Sequence, residues 1–426
     1  MDTKDNVISR REFAKRATVG ATTFASLGIA TSSFGANGDP LKIALIGCGG
    51  RGKDAVKNAI QADRNIKLIA VHDVVEQRAK DAPNQIKESL KKDDLPVENI
   101  QVDPEHTFSG LNGYKDLLKL DMDYVIIATP PGFRPIHFEE AVQAKKNIFT
   151  EKPVGTDPTG IRRFLRAARR AERAKLSIVA GTQRRHQKEY VETIARIHDG
   201  ALGEILAGRA YWNGGLPFAR ERQPGMSDLE YQASYNWYNF CWICGDNIVE
   251  QHVHNLDVMN WVFQAHPISV IASGGRTWKP QVEKYGNIWD NFSCDYEYPK
   301  GIHVMSFSRH WMNCYSEVSE LVIGTNRTFK EGLSTCHDMA ERGVNAYVQE
   351  HADLQASIRG TGPHLNEGVQ VAESTFTAIF GRMAAYTGQK LMWDEAMDME
   401  LDIMPKKLGF DIEIPIDPIP VPPVLG

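Results

Sequence analysis

Cysteine, net positive charge and long hydrophobic runs are all scarce in this chain, and each shortage excludes a class of protein. Six cysteines among 426 residues are too few for a disulfide scaffold. The formal charge is −5, so no overall basic field exists to hold nucleic acid. No run of 18 or more apolar residues is present, so the sequence predicts no membrane span. The 42% hydrophobic and 24% charged residues are typical of a globular protein, and the length suggests two or three domains.

The start of the chain predicts an export signal. Adjacent Arg10 and Arg11 resemble a twin-arginine translocation signal. An apolar stretch over 17–29 and then small residues follow, which is the order of a removable signal peptide. We therefore expect residues 1–36 to be a signal peptide and the mature protein to reach the periplasm already folded. The alternative is a chance arginine pair on a disordered tail.

Predicted strands and helices alternate up to about residue 180. Short apolar runs that predict buried strands lie at 41–46, 66–72, 124–129, 147–150 and 176–180, with helical patterns between them. This alternation predicts a parallel, doubly wound α/β sheet of the Rossmann type, which we assign to residues 37–182.

The pattern changes after about residue 200, where longer predicted strands follow one another with few helices between them. We expect a second, α+β domain with a mostly antiparallel sheet over residues 183–405. One helix is predicted from Ile248 to Phe263 and a long one from Glu367 to Tyr386. Residues 406–426 are rich in proline and predict an extended C-terminal arm.

A glycine-rich turn, G-C-G-G-R-G, follows the first predicted strand and opens a helix. Glycines at 47, 49 and 52 have the spacing of a dinucleotide-binding fingerprint. Gly47 allows the tight turn, Gly49 lets the backbone approach a pyrophosphate, and Gly52 lets the helix pack on the strand. The N-terminus of that helix then holds the phosphates. The alternative is a glycine-rich turn that binds no ligand.

An acidic residue ends the next predicted strand, 21 residues after the last glycine of the fingerprint. Asp73 would accept hydrogen bonds from the adenosine ribose hydroxyls and repel a 2′-phosphate, which favours NAD over NADP. Arg51 keeps NADP open, because a neighbouring arginine can accommodate a 2′-phosphate.

Further motifs make the chain resemble the glucose–fructose oxidoreductase and inositol dehydrogenase family, the Gfo/Idh/MocA family, over roughly residues 40–400. Besides the fingerprint and Asp73, they are Thr129-Pro130 with His137, Glu151-Lys152-Pro153, and the acidic element formed by Glu250, His254 and Asp257. The resemblance implies a Rossmann domain followed by an open-faced, mostly antiparallel sheet that is used in oligomerisation.

The resemblance also implies roles for the matched positions. Lys152 would lie beside the nicotinamide and the reacting hydroxyl, and His254 matches the usual proton acceptor of the family. Glu250 stands where the family usually carries Asp, and Asp257 belongs to the support of the motif. The positions expected to bind the cofactor are Gly47, Gly49, Gly50, Arg51, Gly52, Asp73, Thr129, Pro130, His137, Glu151 and Lys152.

These residue types suit the oxidation of a secondary alcohol, which needs a hydride acceptor, a base and a cation. Nicotinamide would be the acceptor, a neutral His254 the base and Lys152 the cation. Positions 250, 254 and 257 share one face of the predicted helix, so Glu250 and Asp257 would orient His254.

A carbohydrate substrate is indicated by aromatic and basic residues near the predicted site. Aromatic rings stack on the apolar C–H faces of sugars, and basic residues after the last Rossmann strand lie where ligands bind in such folds. The candidates for binding the substrate are Arg184, Arg185, His186, Tyr211, Trp237 and Asp257. The alternatives are core packing for the aromatic residues and a solvated helix start for the basic ones.

A cluster of two cysteines and two histidines also suggests zinc. Cys241, Cys244, His252 and His254 lie within 14 residues of one another. The two histidines, however, point to different faces of a helix, so we expect two buried cysteines and no metal.

The sequence therefore predicts an exported, NAD-dependent oxidoreductase that acts on a sugar or glycoside hydroxyl with a tightly bound cofactor. One alternative is a glycoside hydrolase resembling glycoside hydrolase family 109, in which transient oxidation permits elimination and Glu250 and His252 supply acid–base groups. Another is a non-catalytic sugar-binding protein, against which the intact Lys152 and His254 argue. An apolar sheet face left uncovered would be buried in a homo-oligomer, a dimer or a tetramer.

Overall fold

A six-stranded parallel sheet forms the first half of the computed structural model, which describes residues 38–329 and 344–422. Its strands are β1 (Leu41–Ile46), β2 (Ile66–Asp73), β3 (Thr107–Ser109), β4 (Tyr124–Ile127), β5 (Asn147–Thr150) and β6 (Ile178–Ala180). The strand order is β3-β2-β1-β4-β5-β6, which is the order of a doubly wound dinucleotide-binding fold. The predicted Rossmann domain is confirmed, whereas the predicted signal peptide lies outside the described residues.

Helices flank this sheet and connect its strands. They are α1 (Gly50–Ala62), α2 (Glu76–Lys92), α3 (Gly113–Leu117), α4 (Arg134–Gln143) and α5 (Pro158–Arg173). Helix α1 begins inside the glycine fingerprint, so its N-terminus faces the carboxyl end of β1. The side chain of Asp157 caps α5 by accepting a hydrogen bond from the Gly160 amide at 2.6 Å.

A seven-stranded sheet forms the second half. Its strands are β7 (Ile205–Gly214), β8 (Ser269–Gly275), β9 (Asn291–Tyr298), β10 (Ile302–His310), β11 (Glu317–Gly324), β12 (Thr328–Phe329) and β13 (Leu391–Met392). The order is β12-β11-β7-β10-β9-β8-β13, and only the β7–β10 pair is parallel among these neighbours. The predicted mostly antiparallel sheet is confirmed.

One face of the second sheet is covered by helices and the other is open. On the covered face the Tyr296 hydroxyl donates to the Thr377 carbonyl in the long C-terminal helix, at 3.0 Å. On the open face Ile271 and Met305 are 51% and 40% exposed, and the rings of Tyr211 and Phe307 stack with centroids 5.7 Å apart. The predicted open-faced architecture is therefore present.

The helices of the second half include five that the sequence analysis did not predict, of which those at Lys188–His198 and Ala346–Arg359 are the longest. They are α6 (Lys188–His198), α7 (Asp228–Glu230), α8 (Cys241–Cys244), α9 (Asn247–Glu250), α10 (Val253–Phe263), α11 (Ala346–Arg359), α12 (Gly368–Thr387) and α13 (Trp393–Asp398). No helix in the described part of the chain is long and apolar enough to cross a membrane.

The helix predicted from Ile248 to Phe263 is wrong as a single element, because it is interrupted between α9 and α10. Gln251 and His252 fall in the interruption, where the backbone hydrogen bonds tighten. The Asn255 amide donates to the His252 carbonyl, three residues back, at 3.0 Å. Glu250 and His254 therefore lie on two short helices that meet at an angle set by this turn.

Helix α11, which was not predicted, returns the chain to the first domain. The Asn345 side chain caps it by accepting from the Tyr347 amide at 3.0 Å. Gln355 donates to the Ala59 carbonyl in α1 at 3.0 Å, and Leu354 packs in the core of the first sheet. The two domains therefore interleave along the chain, although the sequence predicts a boundary near residue 182.

The proline-rich arm lies along the body of its own chain over the described residues 406–422. Ile414 is buried, its carbonyl accepts from the Gln232 amide group at 2.5 Å, and its own amide donates to Asp228 at 2.8 Å. Farther along, the Trp289 indole donates to the Pro420 carbonyl at 2.9 Å.

Candidate active site

A cavity of about 990 Å³ opens at the carboxyl ends of β1, β2 and β4, facing the second domain. Strand order reverses between β1 and β4, which is where open α/β sheets bind ligands. The fingerprint turn, Asp73, Lys152, Glu250 and His254 all line this cavity.

The glycine turn has the geometry that a dinucleotide requires. Gly47 has a φ of 101°, and a Cβ there would lie 2.6 Å from the Thr129 nitrogen. A Cβ at Gly52 would overlap the Gly47 carbonyl oxygen, so only glycine lets α1 pack against the turn. A Cβ at Gly49 would meet open space, which leaves the cavity side of the backbone accessible.

Asp73 is held rigidly at the end of β2. Its carboxylate accepts hydrogen bonds from the Cys48 amide at 2.8 Å and from the Val75 amide at 3.0 Å. Because both donors are backbone groups of the turn and of the β2 end, the carboxylate is fixed at the rim of the cavity.

Arg51 forms ion pairs with two carboxylates. Its guanidinium donates to Glu151 at 2.5 Å and to Glu350 at 2.8 Å, and it lies over the Tyr347 ring at 4.7 Å. Burial would lower the pKa of Arg51, but the charges of Glu151 and Glu350 outweigh it and raise the pKa. Arg51, which the sequence analysis considered as a partner for the 2′-phosphate of NADP, is therefore paired with Glu151 and Glu350 instead.

An aromatic wall that sequence analysis largely missed borders the glycine turn. The His137 ring accepts from or donates to the Thr129 hydroxyl at 3.0 Å, and its centroid lies 4.3 Å from that of Tyr114. His72 bonds to the Gly110 carbonyl at 2.8 Å through Nε2. Burial lowers the pKa of His137 well below its usual range, so this wall carries no charge at neutral pH.

Lys152, just after β5 in the first domain, contacts Glu250, the last residue of α9. Its Nζ donates to the Glu250 carbonyl at 2.6 Å and lies 3.3 Å from the Glu250 carboxylate. The peptide bond between Lys152 and Pro153 is cis. Burial raises the pKa of Glu250, and the charge of Lys152 opposes that rise.

His254 faces the cavity with its ring nitrogens available. Within the described residues no side chain or backbone group hydrogen-bonds to its ring, which stacks on Trp212 with centroids 5.8 Å apart. Burial, and then the charges of Lys152 and Arg184, lower the pKa of His254 well below 6.5. The imidazole is therefore neutral at neutral pH and can accept a proton.

Most of the residues expected to bind the substrate lie outside this cavity. Arg184 pairs with Glu320, and Arg185 donates to Asp257 at 2.9 Å, with the guanidinium over the Trp261 ring. Buried guanidinium and carboxylate groups pair with one another because neither can stay unpaired away from water. Asp257 also accepts from Gln370 and Ser374, so it does not orient His254 as expected.

His186 and Tyr211 are also placed elsewhere. His186 lies between Asp353, at 2.6 Å, and Glu367, at 3.3 Å. Burial would lower its pKa, but these two carboxylates raise the pKa to about 10. Tyr211 belongs to the open sheet face, and Trp237 alone among the six candidates lines the cavity.

The remaining cysteine and histidine candidates are structural. His252 is buried and hydrogen-bonds to the Ser306 hydroxyl at 2.7 Å and to Asn255 at 3.2 Å. Burial lowers the pKa of His252 to about 3. Cys241 and Cys244 are buried, and the Cys241 sulfur lies 3.7 Å from the Tyr386 hydroxyl. His252 therefore supplies no acid–base group to the cavity.

Many residues that line the cavity were not identified as site residues from the sequence, among them Trp212, Gln183, Gln251 and Tyr347. The first three adjoin residues that the sequence analysis singled out, so proximity along the chain was the available signal. Tyr347 carried no signal, since it reaches the cavity only because α11 packs on the first domain.

The first domain of the chain matches a known family model. Residues 41–178 match the family model GFO_IDH_MocA, described as an oxidoreductase family with an NAD-binding Rossmann fold. Inositol 2-dehydrogenase of Acidothermus cellulolyticus is 26% identical over 238 residues, which are 55% of this chain and 57% of the relative. The NAD(+)-dependent scyllo-inositol 2-dehydrogenase of Bacillus subtilis is 23% identical over 58% of this chain and 61% of its own. The matches thus span less than two thirds of these curated relatives.

Solved structures show the same fold over more of the chain. Scyllo-inositol dehydrogenase from Lactobacillus casei, solved with NAD(H) and scyllo-inositol, has a TM-score of 0.64 at 18% identity and covers 84% of this chain and 100% of its own. Aldose–aldose oxidoreductase from Caulobacter crescentus, solved with glycerol, has a TM-score of 0.60 at 14% identity over 83% and 99%. Residues 41–178 of this chain therefore match the NAD-binding Rossmann domain of the Gfo/Idh/MocA oxidoreductase family.

Proposed function

We propose that this protein is an NAD-dependent oxidoreductase that oxidises a secondary hydroxyl of a polyhydroxylated ring, a sugar, glycoside or cyclitol. The observation that carries the proposal is the position of Lys152 and His254 in one cavity with the glycine turn and Asp73. The inositol dehydrogenases among the relatives act on ring hydroxyls and support this substrate class.

The residues present fit the dinucleotide. The open side of Gly49 and the N-terminus of α1 suit the pyrophosphate, and the fixed carboxylate of Asp73 suits the adenosine ribose hydroxyls. Because Arg51 is engaged by two carboxylates, it does not offset the repulsion of a 2′-phosphate by Asp73. We therefore assign NAD rather than NADP.

Each of three side chains has a defined task. NAD held by the glycine turn and Asp73 would supply the acceptor for the hydride of the carbon that carries the hydroxyl. Lys152 donates to the hydroxyl oxygen and stabilises the negative charge that develops on it. Neutral His254 accepts the hydroxyl proton. Glu250 holds the Lys152 ammonium through its carbonyl and carboxylate, which fixes the direction of the remaining Nζ protons.

A substrate panel tests the proposal. The purified protein, supplied with NAD, is incubated with cyclitols, free sugars and glycosides, and the products are resolved by mass. Keto products two hydrogens lighter than a substrate, formed together with reduced cofactor, are expected. Release of free sugar without a keto product would instead indicate the hydrolase, although His252 is not available to assist it. Binding without turnover would indicate a sugar-binding protein.

We also propose that residues 1–36 direct the folded protein to the periplasm. The first support is the adjacent Arg10 and Arg11, which an apolar stretch follows. The second is that export in the folded state suits a protein that binds its cofactor before it leaves the cytoplasm. Fusion of the first 40 residues to a reporter that needs folded export tests this proposal. Replacement of both arginines by lysine is expected to abolish export.

We further propose that the open face of the second sheet forms a subunit interface. Ile271, Met305 and the stacked Tyr211 and Phe307 place exposed apolar side chains on this face beside Arg209 and Asp295, and a second copy covers such a face most simply across a twofold axis. A dimer or a tetramer is expected.

A further inference from the structure

A part of the second half of the chain covers the end of the cavity that lies beyond Asp73. We propose that this part, which comprises residues 226–242 and 403–414 and is called the roof below, binds the adenosine half of the dinucleotide and slows its release. The inference rests on the proposed function, because it assumes that NAD occupies the cavity.

The position of the adenosine half follows from the Rossmann residues. Asp73 ends β2 and takes the ribose, so the adenine lies beyond it, over the ends of β2 and β3. The cavity residues in that direction are Val74, Arg78, Gly110, Leu111 and Asn112. This end of the cavity is therefore the one that an adenosine would fill.

The roof lines the same cavity from the opposite side. Ala233, Ser234, Trp237 and Leu408 border it together with the Rossmann residues. Val74 and Leu111 also pack in one apolar cluster with Trp237 and Leu408. An indole and a leucine side chain suit the flat apolar faces of a base, which gain most from burial against aromatic and aliphatic groups.

The roof and the first domain are in close contact. A Cβ at Gly132 would lie 2.8 Å from the Trp242 carbonyl oxygen and 3.1 Å from the Met404 sulfur, so only glycine fits between them. Arg78, on α2, donates to the Ser234 carbonyl at 3.5 Å and closes the gap beside Asp73.

The roof is built from segments that hold one another in place. Gln232 donates to the Ile414 carbonyl at 2.5 Å, and its own amide oxygen accepts from the Trp242 indole at 2.9 Å. Asp228 accepts from the Ile414 amide at 2.8 Å. Because these bonds are buried, a dinucleotide held beneath the roof can leave only when several of them open together.

The test measures cofactor release rather than turnover. The full chain is loaded with NAD, freed of excess, and diluted into a scavenging dehydrogenase that consumes any NAD released. For the wild type we expect slow release, and NAD(H) in protein purified without added cofactor. Trp237→Ala with Leu408→Ala is expected to release NAD about tenfold faster or more, because apolar contact with the base is lost.

Three controls keep the result specific. Leu408→Met preserves the apolar contact and is expected to release NAD at the wild-type rate. Val421→Ala lies in the same arm at a side chain that is 68% exposed and outside the cavity, so it too is expected to match the wild type. Thermal unfolding of the cofactor-free proteins checks that each variant folds.

The outcomes separate this inference from the proposed function. A folded Trp237→Ala, Leu408→Ala variant that binds and releases NAD like the wild type would overturn the roof assignment alone. A wild-type protein that binds no NAD in a calorimetric titration would overturn the proposed function as well.

Discussion

His254 and Lys152 differ in how the protein surrounds them, and this difference assigns their tasks. Lys152 is held by two oxygens of Glu250, which fix the direction of its ammonium group. The ring of His254 has no hydrogen-bond partner among the described residues, and burial keeps it neutral. A cation and a neutral base in one cavity are what the oxidation of an alcohol requires.

Replacement of His254 by alanine is expected to reduce turnover by about 10²-fold or more, because the hydroxyl proton loses its acceptor. NAD affinity is expected to stay near the wild-type value, since the ring makes no hydrogen bond to the glycine turn or to Asp73. Steady-state rates and calorimetric titration with NAD measure the two effects. Turnover at the wild-type rate would show that another group accepts the proton.

Removal of the Lys152 charge is expected to raise the pKa of His254. The positive charge of Lys152 disfavours the protonated imidazole, so Lys152→Met moves that pKa upward, although burial still holds it below 6.5. NMR titration of the histidine ring signals measures the change. Lys390→Met, at an exposed surface lysine, is the matched control, and an unchanged His254 titration in Lys152→Met would contradict the pairing.

The sequence predicted some site residues better than others, and the reason is the distance along the chain to their partners. The cofactor motifs are local, so the turn at 47–52 and Asp73 could be found from spacing alone. Arg184 and His186 were interpreted as substrate ligands because their partners were not visible. Glu320, Asp353 and Glu367 lie more than 130 residues farther along, and no spacing rule connects them.

At the scale of elements, the start of α1 shows how one glycine joins a helix to a strand. A Cβ at Gly52 would overlap the Gly47 carbonyl, whereas a Cβ at Gly50 meets nothing within 4 Å. We expect Gly52→Ala to lower the melting temperature of the cofactor-free protein strongly and Gly50→Ala to leave it nearly unchanged. Calorimetry of both variants measures this, and equal melting temperatures would contradict the packing role.

Helix α11 was not predicted, and α9 and α10 were predicted as one helix. In neither place does the sequence show a clear helical repeat of apolar residues. Helix α11 buries Glu350, His351 and Gln355 beside Leu354, so its inner face is polar and the usual apolar stripe is weak. The break before α10 has no proline or glycine to announce it. There His252 makes a buried hydrogen bond to Ser306, in a strand that lies 54 residues farther along the chain.

At the scale of the whole molecule, the open sheet face predicts the assembly. Met305→Glu places a second carboxylate beside Asp295 on the open face and is expected to reduce the mass measured by light scattering to that of one chain, because like charges then meet at the interface. Val97→Glu, at an exposed apolar residue outside this face, is expected to leave the assembly intact. A wild-type protein with the mass of a single chain would contradict the interface.

The buried histidines predict how the stability of the whole molecule depends on pH. Burial lowers the pKa values of six of them, namely His72, His137, His252, His254, His310 and His351. Below pH ~6.5 these histidines bind protons in the unfolded chain but stay neutral in the folded chain. As the pH falls, the free energy of unfolding therefore decreases by up to ~1.4 kcal/mol per pH unit for each group. His186 acts in the opposite direction, because its raised pKa of about 10 adds stability that is complete below pH ~6.5 and is lost as the pH rises through 10.

His252 has a pKa of about 3, so its protonation opposes folding between pH 6 and 4. In that range, His252→Gln is expected to reduce the slope of the unfolding free energy against pH by about one bound proton, as measured by denaturant titration at each pH. His364→Gln, at an exposed side chain outside the open face, is the control, and equal slopes in the wild type and His252→Gln would show that His252 is already protonated in the folded protein.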